Sequence, residues 1–178
     1  FILGGVLIAT KKEAKNTCMR RLVLSVLALS AVLAWTASAG TVSLDFPSAD
    51  STVVASLGTI GSGEFGYFWS VTRGDSIAET FTGVGLASIT GLDLSFDITQ
   101  NVLENGALVD WVVTVNGIGV GVWSWSYWDG VAPIDLFYLF PSIAGGGTYT
   151  IRMAVTNDVP VGYGSIAIGY PGTATLHE

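Results

Sequence analysis

Three aromatic residues at alternate positions, Trp123, Trp125 and Tyr127, come closest in this chain to residues spaced for a chemical task. Alternate residues of an extended strand share one face, so the three rings form a strip, and Gly119 and Gly121 keep that face low beside them. Flat rings stack on the apolar faces of sugars, and a carboxylate accepts hydrogen bonds from sugar hydroxyls. Hairpin pairing puts Asp110 next to the strip. Trp123, Trp125, Tyr127 and Asp110 are therefore the candidate ligand-binding residues, with a polysaccharide as partner. The competing use of such rings is structural, because a tryptophan in a sandwich core hides roughly 150–250 Å² from water.

Reactive groups are scarce. Beyond residue 39 there is no lysine and no cysteine, and His177 is the only histidine, beside the chain end where strands tend to fray. Thiol and lysine nucleophiles are excluded, histidine-based zinc sites are excluded by count, and a serine–histidine–acid triad is disfavoured. No residue is assigned a catalytic role; a two-carboxylate glycosidase stays formally open, but no acid is singled out by its neighbours. Asp93 and Asp97 flank Ser95 on the polar side of a strand and read as a solvated face. The loop acids Asp50, Asp75, Asp129 and Asp158 could share in a structural Ca²⁺ site, which takes six to eight oxygens, yet no spacing resembles a known calcium loop. No cofactor is expected, and a calcium ion has no assignable place.

Charge narrows the partners further. Residues 40–178 carry two arginines against thirteen acids, a formal charge of −11. Nucleic acid and anionic lipid both need clustered cations, so neither is an expected partner.

The elements that must position these residues are strands. Val42, Leu44 and Phe46 alternate with polar residues; so do Leu92, Leu94, Phe96 and Ile98, and again Tyr149, Ile151, Met153 and Val155. Further strands are expected at 65–71, at 76–82, at 134–140 ending on Pro141, and over 165–176 with a break near Pro171-Gly172. Glycine- and asparagine-rich turns separate them. Roughly nine or ten short strands with no helical periodicity point to an all-β antiparallel sandwich, with the jelly roll as its expected form.

The sharpest local signal is Asn116-Gly117, the preferred centre of a two-residue hairpin turn. Simple pairing from it sets Val115 opposite Ile118, Val113 opposite Val120 and Trp111 opposite Val122. The face bearing Val109, Trp111, Val113, Val115, Ile118, Val120 and Val122 is then the core face, and the aromatic strip lies on the other. One extra residue in either strand would exchange the faces beyond it.

Upstream, Met19, Arg20-Arg21, the apolar run Leu22–Trp35 and the small residues to Ala39 have the layout of a helical secretory signal peptide cleaved between Ala39 and Gly40. The apolar run is shorter than the ~20 residues of a membrane span. The expected organisation is an upstream segment 1–18 outside the natural start, a leader 19–39, and a single sandwich domain 40–178. The expected destination is the bacterial cell surface or exterior through Sec export, with no membrane span in the mature chain.

Glu79-Thr80-Phe81-Thr82-Gly83, Ile89-Thr90-Gly91-Leu92-Asp93-Leu94-Ser95-Phe96, Val115-Asn116-Gly117, the run 143–150 from Ile143 to Thr150, and Val155–Pro160 together carry a resemblance. Over about half of the chain, from Ala78 to Gly169, this sequence resembles bacterial secreted β-sandwich proteins of the PEP-CTERM-associated type. The Pro-Glu-Pro motif of their sorting tail does not occur in it. The resemblance implies a surface or matrix role and supplies no site residues. The leading expectation is a non-catalytic structural or adhesion module of the envelope or matrix, meeting polysaccharide or other surface proteins. The alternatives are a carbohydrate-binding module using the aromatic strip and a small glycan-cleaving jelly roll. With no lysine guarding its sheet edges, self-association through them is a further expectation.

Overall fold

The Asn116-Gly117 turn forms where its sequence demands it. Both residues adopt positive φ, 50° and 78°, and the strands β6 (Leu108–Val115) and β7 (Ile118–Ser126) fold back on each other. The Asn116 side chain then locks the hairpin tip to the neighbouring strand, accepting from the Thr150 N–H at 2.8 Å and donating to the Thr148 carbonyl at 3.3 Å.

The computed structural model describes residues 40–55, 65–159 and 164–178. The expectations for the upstream segment, the leader and its cleavage after Ala39 fall on 1–39, outside the described residues. The other strands are β1 (Thr41–Asp45), β2 (Thr52–Val54), β3 (Phe65–Trp69), β4 (Ser76–Phe81), β5 (Ser88–Asn101), β8 (Pro133–Ala144), β9 (Tyr149–Val155), β10 (Ser165–Gly169) and β11 (Thr173–His177). β2 has no clear alternation and was not expected. β8 runs through Pro141 instead of stopping there; it pairs only with β5, and an edge strand tolerates the missing N–H.

All pairings are antiparallel, and two sheets face each other. In one, β10 and β11 lie end to end along one side of β5, β8 lies along its other side, and β1 and β3 extend β11 and β10 outward. The other runs β2-β4-β9-β6-β7. Setting the short edge strand β2 aside, and counting β1 with β3 and β10 with β11 as single lanes, gives eight lanes arranged 1-8-3-6 in one sheet and 2-7-4-5 in the other. That is the jelly-roll arrangement, so the expected fold class is the observed one.

The β6–β7 register departs from simple pairing. Val115 faces Ile118 and Thr114 faces Gly119, but Val113 then faces Gly121, leaving Val120 as an extra residue. The bulge exchanges the faces of β7 beyond it. Trp111 consequently lies opposite Trp123 and Val109 opposite Trp125. Val122, expected in the core, is 73% exposed and Ile118 is 54% exposed, whereas Trp123 and Trp125 keep only 8% and 9% of their surface. The two tryptophans of the aromatic strip face the core.

There they build an aromatic column. Trp111 and Trp123 stack at 5.3 Å with their planes 6° apart. Phe68 meets Trp111 edge-on at 5.4 Å, Phe96 meets Trp123 at 5.5 Å, and Trp125 meets Trp123 at 6.3 Å. Phe68 and Phe96 belong to the first sheet and the tryptophans to the second, so the column joins the layers. Among the described residues the indole N–H groups of Trp111 and Trp123 have no acceptor, a cost of about 1–3 kcal/mol each that the rings' burial offsets.

Gly121, next to the bulge, has a separate duty. The Tyr138 ring of β8 lies over it so closely that a Cβ there would fall inside the ring. The Tyr138 hydroxyl donates to the Val122 carbonyl at 3.4 Å, closing the gap between the two edge strands, and burial pushes its pKa up to about 12. Gly121→Ala should therefore displace Tyr138 and destabilise the protein by about 1–3 kcal/mol, read as a lower urea midpoint. Trp123→Ala, which opens a cavity in the column, should cost about 3–5 kcal/mol. A Gly121→Ala protein as stable as the parent would contradict this account of the seam.

Candidate functional site

The four predicted ligand-binding residues do not assemble into one surface. Trp123 and Trp125 lie in the core, and the Trp125 indole donates to the Gly130 carbonyl at 3.3 Å. Asp110 lies on the outer side of β6 and is committed to structure. Its carboxylate accepts from Ser124 Oγ at 2.6 Å, its N–H donates to Asn157 Oδ1 at 2.8 Å, and its carbonyl accepts from Thr156 N at 2.8 Å. Only Tyr127 reaches solvent as expected, at 42% exposure. It does so by leaving the strand for a single 3₁₀ turn, Tyr127–Asp129.

That turn presents the exposed aromatic surface. Trp128, absent from the predicted set, is 74% exposed. Its ring meets Tyr127 edge-on at 4.9 Å, and Val131 and Leu108 are exposed on either side in sequence and pairing. The alternate-residue pattern missed Trp128 because it follows strand periodicity, and the strand ends at Ser126. The local signal was the turn sequence Trp128-Asp129-Gly130.

The turn is held at several points. Asp129 Oδ2 accepts from both the backbone N–H and the hydroxyl of Ser126, each at 2.7 Å. Asn101 Nδ2 donates to the Ser126 carbonyl at 2.9 Å, and Tyr127 N donates to the Ala107 carbonyl at 3.2 Å, which ties the turn to the β5–β6 connection. Gly130 leaves it with φ of 67°, a left-handed conformation that suits glycine. Trp125 underneath holds the Gly130 carbonyl. An exposed indole on so constrained a backbone loses little freedom on stacking against a ligand.

His177, expected at a frayed end, is part of the ladder instead, paired with Thr41 on one side and Gly91 on the other. Its Nε2 lies 3.0 Å from Asp93 Oδ2, close enough for an ion pair but outside hydrogen-bond alignment. Among the described residues no serine or threonine hydroxyl is hydrogen-bonded to His177, so this is an acid–histidine pair without a nucleophile. Three of the four loop acids named for calcium are engaged elsewhere. Asp75 is buried and caps the Thr72 N–H at 3.0 Å, Asp129 is held by Ser126, and Asp158 pairs with Arg73 at 2.9 Å. Among the described residues no three acids or histidines converge, and no helix is long and apolar enough to cross a membrane.

No family model and no curated protein matches the chain. Solved structures similar in fold include a carbohydrate-binding module of family 36 from a multidomain xylanase of the hindgut metagenome of Trinervitermes trinervoides. It shows 14% identity over 77% of this chain and 96% of that one, with a TM-score of 0.43. A second family 36 module, in complex with calcium and xylotriose, shows 12% identity over 77% and 99%, also at 0.43. A family GH115 4-O-methyl-α-glucuronidase with specificity for decorated arabinogalactans shows 10% identity at a TM-score of 0.44 over 75% of this chain, which spans only 17% of that enzyme.

The Ser126 hydroxyl, and after it the Ser126 N–H, hold the Asp129 carboxyl below its usual pKa. A lowered folded-state value means that the clamp stabilises the turn above the ordinary aspartate pKa of about 3.9 and is lost as pH falls through and below it. Tryptophan emission should report loosening of the Trp128 turn below about pH 4, before the core melts. Asp129→Asn should remove that acid step; an unchanged step would assign it to another carboxylate.

Proposed function

We propose that the protein is a non-catalytic carbohydrate-binding module, exported to the bacterial surface or exterior, that stacks sugar rings on Trp128 and Tyr127. The observation that carries this reading is an indole 74% exposed on a turn clamped from both sides. Leaving so large an apolar ring in water forfeits the stabilisation of burial, whereas Trp111, Trp123 and Trp125 are packed into the core. A clamped, exposed indole beside a second ring is suited to an apolar sugar face. The turn thus favours the carbohydrate-binding alternative over a purely structural module, with Trp128 joining Tyr127 in place of the expected Trp123 and Trp125.

A glycan-array screen of the protein beside two variants tests this. Trp128→Ala should weaken binding by at least about tenfold, the loss expected on truncating a central aromatic contact, with Tm unchanged because the side chain is exposed. Trp125→Ala should lower Tm sharply, since it removes core packing and the hydrogen bond to Gly130. Wild-type affinity in a folded Trp128→Ala protein would sink the proposal.

A further inference from the structure

The outer face of the β1-β11-β5-β8 lanes carries a feature that the aromatic turn does not use. Leu92, Leu94, Phe96, Ala174, Leu176 and Ile134 point into the core, so the alternate residues of the same strands form the outer face. Strand pairing lines up Asp135, Ser95, Thr173 and Asp45 in one row across four strands. The hydroxyls sit in the middle and a carboxylate stands at either end, about 14 Å apart from three strand spacings. The adjacent row holds Phe137, Asp93 and Thr175. Asp135, Ser95, Thr173, Asp93, Phe137 and Thr175 line an open trough of about 400 Å³, and Asp45 stands beyond it at the end of its row. Phe137, 61% exposed, forms one wall and meets His177 edge-on at 6.4 Å.

The charge of this face is not balanced internally. Asp45, Asp97 and Asp135 have no hydrogen bond or ion pair among the described residues, and Asp93 Oδ1 is buried without a partner. Of the two arginines beyond residue 39, Arg73 is engaged by Asp158, and Arg152 stands on β9, in the other sheet. An anionic glycan would be repelled here, and a neutral one would use only the hydroxyls. A chain bearing ammonium groups would also gain the carboxylates, and a cation over Phe137 would be attracted by the ring face.

We propose that this trough is a second binding surface that selects glycans carrying free amino groups. The proposal rests on the carbohydrate-binding reading and extends it: the turn recognises a sugar ring, and the trough selects its charge. The β7–β8 connection that bears Trp128 leads directly into β8, which carries Asp135 and Phe137.

Calorimetric titration of the protein with a glucosamine tetramer, its fully N-acetylated form, a galacturonate tetramer and tetralysine tests this, below the pH at which the sugar amine titrates. The glucosamine tetramer should bind tightest and the galacturonate tetramer not at all, and the preference should fade in high salt as exposed charges are screened. The Asp45→Asn/Asp135→Asn double variant should lose roughly three- to tenfold for the glucosamine tetramer and leave the acetylated form unchanged. Trp128→Ala should instead weaken both sugars together, so a failure of the turn and a failure of the trough give different patterns. Equal binding of amino and acetylated tetramers, an unaffected double variant, or tetralysine binding as tightly as the sugar would each overturn the proposal.

Discussion

The extra residue at Val120 decides the character of the surface. A β-strand has a period of two, so one unpaired residue inverts everything after it. Without the bulge, Trp123 and Trp125 would stand in solvent, and the sandwich would have to close over Val122 and its small neighbours. With the bulge, the two indoles stack into a column with Trp111, Phe68 and Phe96, and the second sheet gains the bulk it needs to meet the first. The same bulge leaves Gly121 where Tyr138 can lie flat across the seam between the edge strands.

The buried column shapes the exposed turn. Trp125 belongs to the core through its ring, yet its N–H holds the Gly130 carbonyl just beyond the turn. The backbone that presents Trp128 is therefore braced from beneath by the packed interior and from the side by Asn101 and the Ala107 carbonyl. Ser126 and Asp129 complete the brace with a charge-assisted pair of hydrogen bonds, stronger than neutral ones. Core and site are continuous: disturbing the column would blur the turn before it unfolded the protein.

The two outer faces differ in character. That of the β2-β4-β9-β6-β7 sheet mixes Val112, Val122 and Ala154 with Arg152 and threonines. That of the first sheet is a lattice of carboxylates and hydroxyls, relieved by Phe137 and Leu139. With no lysine beyond residue 39 and Arg152 on the other sheet, no lysine or arginine among the described residues of this lattice offsets its acids. That imbalance, more than any single residue, sets which ligands can approach it.

The residues by themselves determined a good deal. Alternation placed nearly all the strands, Asn116-Gly117 placed the central hairpin, and Asp93, Ser95 and Asp97 were rightly read as an outward polar face. The absence of lysine and cysteine narrowed the chemistry before any fold was known. These features are local, or follow from counting, and so they survive without knowledge of neighbours. The bulge, the inward aromatic column and the ladder position of His177 depend on which strand lies opposite which. No local pattern marks where one unpaired residue will be taken up between two strands, because the choice is made by the fit of Trp111 and Trp123 against Phe68 and Phe96 across the sandwich. Trp128 became a candidate site residue for the same reason: only the closed structure shows that the core has taken Trp111, Trp123 and Trp125 and left Trp128 outside.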